Sequence, residues 1–131
     1  FCYKINMRVK IEDTFEVKLY LGSKESYNGR EFSFEELTKF IGQFQKDRDD
    51  ACPLRITQCH FVFEDYLEQG WEVGVINYPR FPKEEGELWR FMCSLAEHLL
   101  EHFKQNRISV ISPKHTHMFE VEEAKQTHEE E

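Results

Sequence analysis

Residues 15–44 read FEVKLYLGSKESYNGREFSFEELTKFIGQF, and this stretch decides the fold. Its opening alternates. Phe15, Val17, Leu19 and Leu21 fall on one side, and Glu16, Lys18 and Tyr20 on the other. A period of two predicts a strand with one buried face. Gly22 to Phe32 is mostly polar, holds the turn pair Asn28-Gly29, and reads as a surface loop. The period then becomes helical, with Phe34, Leu37, Phe40, Ile41 and Phe44 on one stripe. Ser33 and Glu36 have the spacing of a capping box at the helix start. The helix is expected to end before Asp49-Asp50-Ala51-Cys52-Pro53, because proline disfavours helical backbone in the residue before it.

Toward the C-terminus, Leu54 to Phe63 reads as a second strand. The run Phe61-Val62-Phe63 breaks its alternation, which implies two buried faces or a bulge. Glu64 to Gly70 is read as the turn, and Trp71 to Tyr78 as the third strand, ended by Pro79 and Pro82. Lys83 to Gln105 carries the strongest helical pattern. Leu88, Met92, Leu95, Leu99 and Phe103 form its centre line, with Trp89, Ala96 and Leu100 on one side and Phe91 on the other. That apolar arc is wider than one sheet requires and points to a further contact. Asn106 is placed as the C-cap. Ile108 to Ser112 is the last core strand, and His115 to Val121 a further short one.

The order β-α-β-β-α-β is that of the ferredoxin-like split βαβ arrangement. The expected fold class is α+β: an antiparallel sheet, two helices on one face, and extra strands at the termini. Residues 1–121 form one domain and 122–131 an acidic, disordered tail. Residues 1–12 also alternate, Phe1, Tyr3, Ile5, Met7, Val9 and Ile11 against polar neighbours. They read as an extra N-terminal strand, or as an arm that pairs with a partner.

A formal net charge of -8 over 131 residues argues against general nucleic-acid binding, which needs cations to neutralise phosphates. It argues equally against anionic membrane surfaces. No apolar run is long enough to span a bilayer, and no signal-peptide pattern is present. Cys2, Cys52, Cys59 and Cys93 make no zinc spacing. They read as reduced and structural, which places the protein in the cytoplasm.

Chemistry has to be argued from a site, because this fold hosts many activities. His115 and His117 flank one residue on a strand and would share a face, so they are the candidate metal pair, although no third ligand is nearby in sequence. His98 and His102, at i and i+4, sit on the flank of the apolar arc and read as packed boundary residues. The far face of the sheet supplies the third set. Lys18, Tyr20, Cys59, Glu72 and Tyr78 are the candidate binding residues there, with Tyr20, His60 and Glu64 as candidate acid-base groups. His60 reaches that face only if a bulge shifts the register. No phosphate loop and no serine nucleophile elbow is present, and no tightly bound cofactor is expected.

Leu19-Tyr20-Leu21-Gly22, the helix from Ser33 to Phe44, and His102-Phe103-Lys104-Gln105-Asn106-Arg107-Ile108-Ser109-Val110 carry a family resemblance. Over residues 15–119 the chain resembles a bacterial family of small uncharacterised proteins, domain of unknown function 3574. It departs from that pattern between the helices, where Trp71 does not align with the family's tryptophan. The resemblance implies a fold and no catalytic residues. The sequence reading therefore favours a non-catalytic binding or assembly protein that acts as a homo-oligomer, with a small molecule or a protein as ligand. The alternative is a small cofactor-independent enzyme with acid-base residues in a pocket on the open sheet face.

Overall fold

The computed structural model describes residues 5–26 and 29–122. The elements run β1 (Glu16–Gly22), α1 (Phe34–Gln45), β2 (Arg55–Phe63), β3 (Tyr66–Ile76), α2 (Glu85–His102), β4 (Arg107–Ile111) and β5 (Thr116–Glu120). They build an α+β unit with one antiparallel five-stranded sheet in the order β2-β3-β1-β4-β5. One apolar core joins Val17, Leu19 and Leu21 of β1 and Val73 and Val75 of β3 to Leu37 and Ile41 of α1 and Leu88 to Leu99 of α2. The alternation in β1 places Lys18 and Tyr20 on the face that the helices leave open.

Helix α1 starts where its local chemistry dictates. The Ser33 hydroxyl accepts from the Glu36 amide at 3.1 Å, and the Glu36 carboxylate accepts from the Ser33 amide at 3.0 Å. Phe32 and Leu37, which flank this box, are both buried, as a hydrophobic staple requires. Replacing Ser33 by Ala should cost about 1 kcal/mol. A lowered urea midpoint at unchanged slope is the expected reading.

Much of the wide arc of α2 is covered within the chain, while Trp89, Cys93 and Leu100 are only partly buried. Its buried residues face the sheet, while Trp89 meets His117 of β5 edge-on at 4.8 Å. The fifth strand is the contact that the arc demanded. The helix ends at His102, earlier than the pattern suggests, and Asn106 is not its cap. Lys104 turns into the left-handed region (φ 50), and the Gln105 amide donates to the Leu100 carbonyl at 2.9 Å, a Schellman-type closure.

Two further expectations are corrected. The β2–β3 turn is Glu64-Asp65 alone, with Glu64 at φ 55, and Tyr66 to Gly70 already belong to β3. Residues 5–11 form no strand and are exposed, and Phe1 to Lys4 lie outside the described residues, as does the tail beyond residue 122. No helix among the described residues is long and apolar enough to cross a membrane.

Candidate functional site on the open sheet face

Strand register builds the site. Tyr20 pairs with Glu72, Leu21 with Trp71 and Gly22 with Gly70 across β1 and β3. Cys59 pairs with Gly70 and Phe61 with Glu68 across β2 and β3. Tyr20 pairs with Ser109 across β1 and β4. Directly opposed residues share a face. Tyr20, Phe61, Glu68, Glu72, Cys59 and Ser109 therefore all stand on the open side.

Paired glycines form the floor. A Cβ at Gly70 would collide with the Leu21 carbonyl oxygen and the Phe61 ring, and one at Gly22 would overlap the Glu68 carboxylate. A strand glycine of this kind marks close approach of another group. Phe61 lies over the floor and meets Tyr20 edge-to-face, ring centroids 6.4 Å apart at 84°. Glu68 is pinned beside it: its carboxylate accepts from the Lys24 amide at 3.2 Å and from the Tyr66 hydroxyl at 2.8 Å. Buried Gln105 closes the rear wall. It accepts from the Gly22 amide at 3.2 Å and donates to the Lys24 carbonyl at 2.9 Å. The Schellman turn after α2 is what delivers this side chain. The result is a depression of about 210 Å³ lined by Tyr20, Phe61, Glu68, Gln105 and Ser109 among others.

Charge gathers beside the floor. Lys18 Nζ lies 3.9 Å from both Glu72 and Glu16, and Arg55 meets Glu16. Burial, with the hydrogen bond to the Glu72 carboxylate and the nearby negative charge, pushes the Tyr20 phenol up to about 12. Burial also raises the Cys59 thiol, with the Glu72 charge adding to it. Tyr20 is therefore a hydroxyl donor at neutral pH and not a base. The sign for stability follows. Between pH 10 and about 12 the unfolded phenol loses its proton while the folded one keeps it. The folded state then binds more protons, so stability falls as pH rises through that window. Denaturation at pH 8, 10 and 11 should show this fall, smaller in Tyr20→Phe.

The structure brings Lys18, Tyr20, Cys59 and Glu72 together. It does not bring in the others. Tyr78 follows the end of β3 and packs against the core. His60 pairs with Gln69 in an unbroken register, so no bulge turns it, and it stands on the opposite face. Glu64 sits at the hairpin turn, exposed, beyond the last pair Phe63–Tyr66. His117 packs on Trp89, with the His115 ring 6.1 Å from it. No group of three or more potential metal-ligating side chains occurs among the described residues. Phe61, Glu68 and Gln105 are additions that the sequence reading missed. The glycines at 22 and 70 were the available signal.

A larger depression of about 680 Å³ lies between α2 and β5. The open-face site is preferred for chemistry because its polar groups converge on a built floor, whereas the larger groove is rimmed by dispersed surface side chains.

The molecule is thus an α+β domain with a pocket on its open sheet face that is lined by Tyr20, Phe61 and Glu68 together with Lys24 and Arg107. Two solved structures resemble it over nearly the whole chain. One is a phage SAM lyase in the apo state, 13% identical with a TM-score of 0.76 over 90% of this chain and 98% of that one. The other is a phage SAM lyase in complex with S-methyl-5'-thioadenosine, 14% identical with a TM-score of 0.65 over 89% and 97%. The likeness is one of fold. No family model and no curated protein matches the chain.

Proposed function

We propose that this protein binds S-adenosylmethionine (SAM) on its open sheet face and cleaves it as a lyase. The observation that carries the reading is the glycine-floored pocket with Glu68 and Glu72 beside the Tyr20–Phe61 pair. The end-to-end likeness to SAM lyases supports it. SAM combines a flat adenine, suited to stacking on an aromatic ring, with a sulfonium cation suited to carboxylates. The chemistry asks little of the protein. When the bond from sulfur to the aminobutyrate carbon breaks, its electron pair stays on sulfur and the leaving thioether is neutral. No general acid is needed to protonate it. The carbon fragment completes its valence with its own carboxylate oxygen, which forms the new C–O bond and closes a lactone as the C–S bond breaks. Orientation of the substrate is then the main task, and that is consistent with a site lacking a tight acid-base set. Tyr20, protonated, donates its one hydroxyl proton to Glu72 and so orients that carboxylate.

The pocket is shallow, so a second copy over this face completes its enclosure in this reading, and the homo-oligomer belongs to the proposal. The architecture is read as ferredoxin-like with an added edge strand, on the element order and the core order β2-β3-β1-β4. Free thiols at Cys52, Cys59 and Cys93 support a cytoplasmic setting. Non-catalytic binding is the second reading, favoured by the distance of His60 and Glu64 from the pocket. Calorimetric titration with SAM, followed by chromatography for S-methyl-5'-thioadenosine, separates the two. Binding with product supports the lyase. Binding without product leaves a binding protein. Absence of both rejects the site.

A further inference from the structure

The segment before β1 has a strand's sequence and no strand to join. Ile5, Met7, Val9 and Ile11 are 77%, 81%, 79% and 84% exposed, although they alternate strictly with Asn6, Arg8, Lys10 and Glu12. Such a pattern is stable only when one face is covered and the backbone is paired. The base of the segment is fastened away from β5. Asn77, just past β3, donates through its side chain to the Asp13 carbonyl at 3.2 Å and through its amide to the Phe15 carbonyl at 3.0 Å. From that anchor the arm leaves its own sheet.

The sheet has two edges, β2 and β5. In β5 the His115 carbonyl and the Val121 amide bond toward β4. Strand alternation then directs the backbone groups of Thr116, Met118 and Glu120 outward. Phe119 and His117 lie on the helix side of this strand, where the depression of about 680 Å³ runs along α2 with Leu100 and Phe119 in its lining and Glu97 and Glu101 on its rim. Glu120 stands on the other face.

We propose that the N-terminal arm of one copy adds as a sixth strand to the β5 edge of a second copy. Ile5, Met7, Val9 and Ile11 enter the α2–β5 groove, while Arg8 and Lys10 lie beside Glu120. This is strand addition to an exposed edge, in which the backbone supplies affinity and alternate side chains supply specificity. Charge selects β5 over β2. The arm's polar face is basic at Arg8 and Lys10 in an acidic chain, the face of β5 beside them carries Glu120, which also pairs with Arg107, and β2 itself has no acidic residue. Edge strands left open invite this pairing.

The test uses the full chain and two variants, Val9→Asp in the arm and Met118→Pro on the edge. Proline at Met118 removes one outward amide and is tolerated on an edge strand. Sedimentation velocity and amide exchange are read together, with near-UV circular dichroism to confirm folding. The expected result is an oligomer whose arm amides are protected in a concentration-dependent way. Both variants should sediment as smaller species than the parent chain, no larger than the open-face oligomer, with arm exchange faster by at least roughly tenfold. A monomeric parent chain overturns the proposal, as does a parent oligomer whose size is unchanged by Val9→Asp. Loss of assembly in Val9→Asp but not in a folded Met118→Pro overturns β5 as the acceptor. Arm protection independent of concentration overturns the second copy in favour of pairing within the chain. The Val9 variant lies outside the folded core, so it decides the question even if the proline variant unfolds.

Discussion

Replacing Phe103 by Ala should destabilise the protein by about 3–5 kcal/mol, the largest loss expected from a single substitution here. Phe103 is 2% exposed. Its ring stacks on Phe32 with centroids 4.0 Å apart and meets Phe40 edge-on at 5.5 Å. Phe32 in turn contacts Trp71 at 5.3 Å. The ring thus joins the start of α1, the end of α2 and β3. Truncation leaves a cavity whose walls belong to three elements and cannot collapse together. Small domains have a total stability of about 5–15 kcal/mol, so the variant should lose about a fifth or more of it. Because Gln105 follows two residues later, the rear wall of the pocket should loosen as well. Urea denaturation followed by fluorescence measures the loss. A change below about 1 kcal/mol would contradict this packing account.

The second large effect concerns charge. Glu68→Gln removes a carboxylate from the pocket lining, and Glu72→Gln one from beside Tyr20, with little change of shape. If those carboxylates face a sulfonium, each change should weaken SAM binding by about tenfold, and the pair by up to about a hundredfold where the sites act independently. S-Methyl-5'-thioadenosine has a neutral sulfur, so its affinity should move little. Titration of both ligands against wild type and variants reads this difference directly. Equal weakening of both ligands would mean that the substitutions damaged the pocket, and the charge argument would fail. Glu72 also holds Tyr20 and lies near Lys18, so Glu68→Gln is the cleaner of the two single variants.

Much of the fold was legible in the sequence because period and punctuation agree in it. Phe15 to Leu21 alternates and became β1, and the Ser33–Glu36 box sits where α1 begins. The pocket was only half legible. Lys18, Tyr20, Cys59 and Glu72 follow from alternation within single strands. Glu68 does not, because its place depends on how far the hairpin extends, and a polar run before Trp71 looks like a turn. The hairpin tip is in fact apolar on both faces, Val62 beside Leu67 and Phe63 beside Tyr66. That explains the broken alternation without a bulge and leaves His60 on the wrong side for the pocket. Gln105 was hidden for another reason: a left-handed Lys104 turns the chain sharply, and no periodicity announces it. The wide arc of α2 pointed to a further contact, and β5 supplies one through His117 on Trp89.

The central claim is that ligand binds on the open face. Backbone amide chemical shifts recorded during titration with S-methyl-5'-thioadenosine test it most directly. The account predicts perturbations at Tyr20, Gly22, Glu68 to Glu72 and Ser109, with the outer face of α2 silent. Shifts confined to Glu97, Glu101 and Phe119 in the α2–β5 groove, or no shifts at saturating ligand, would contradict it.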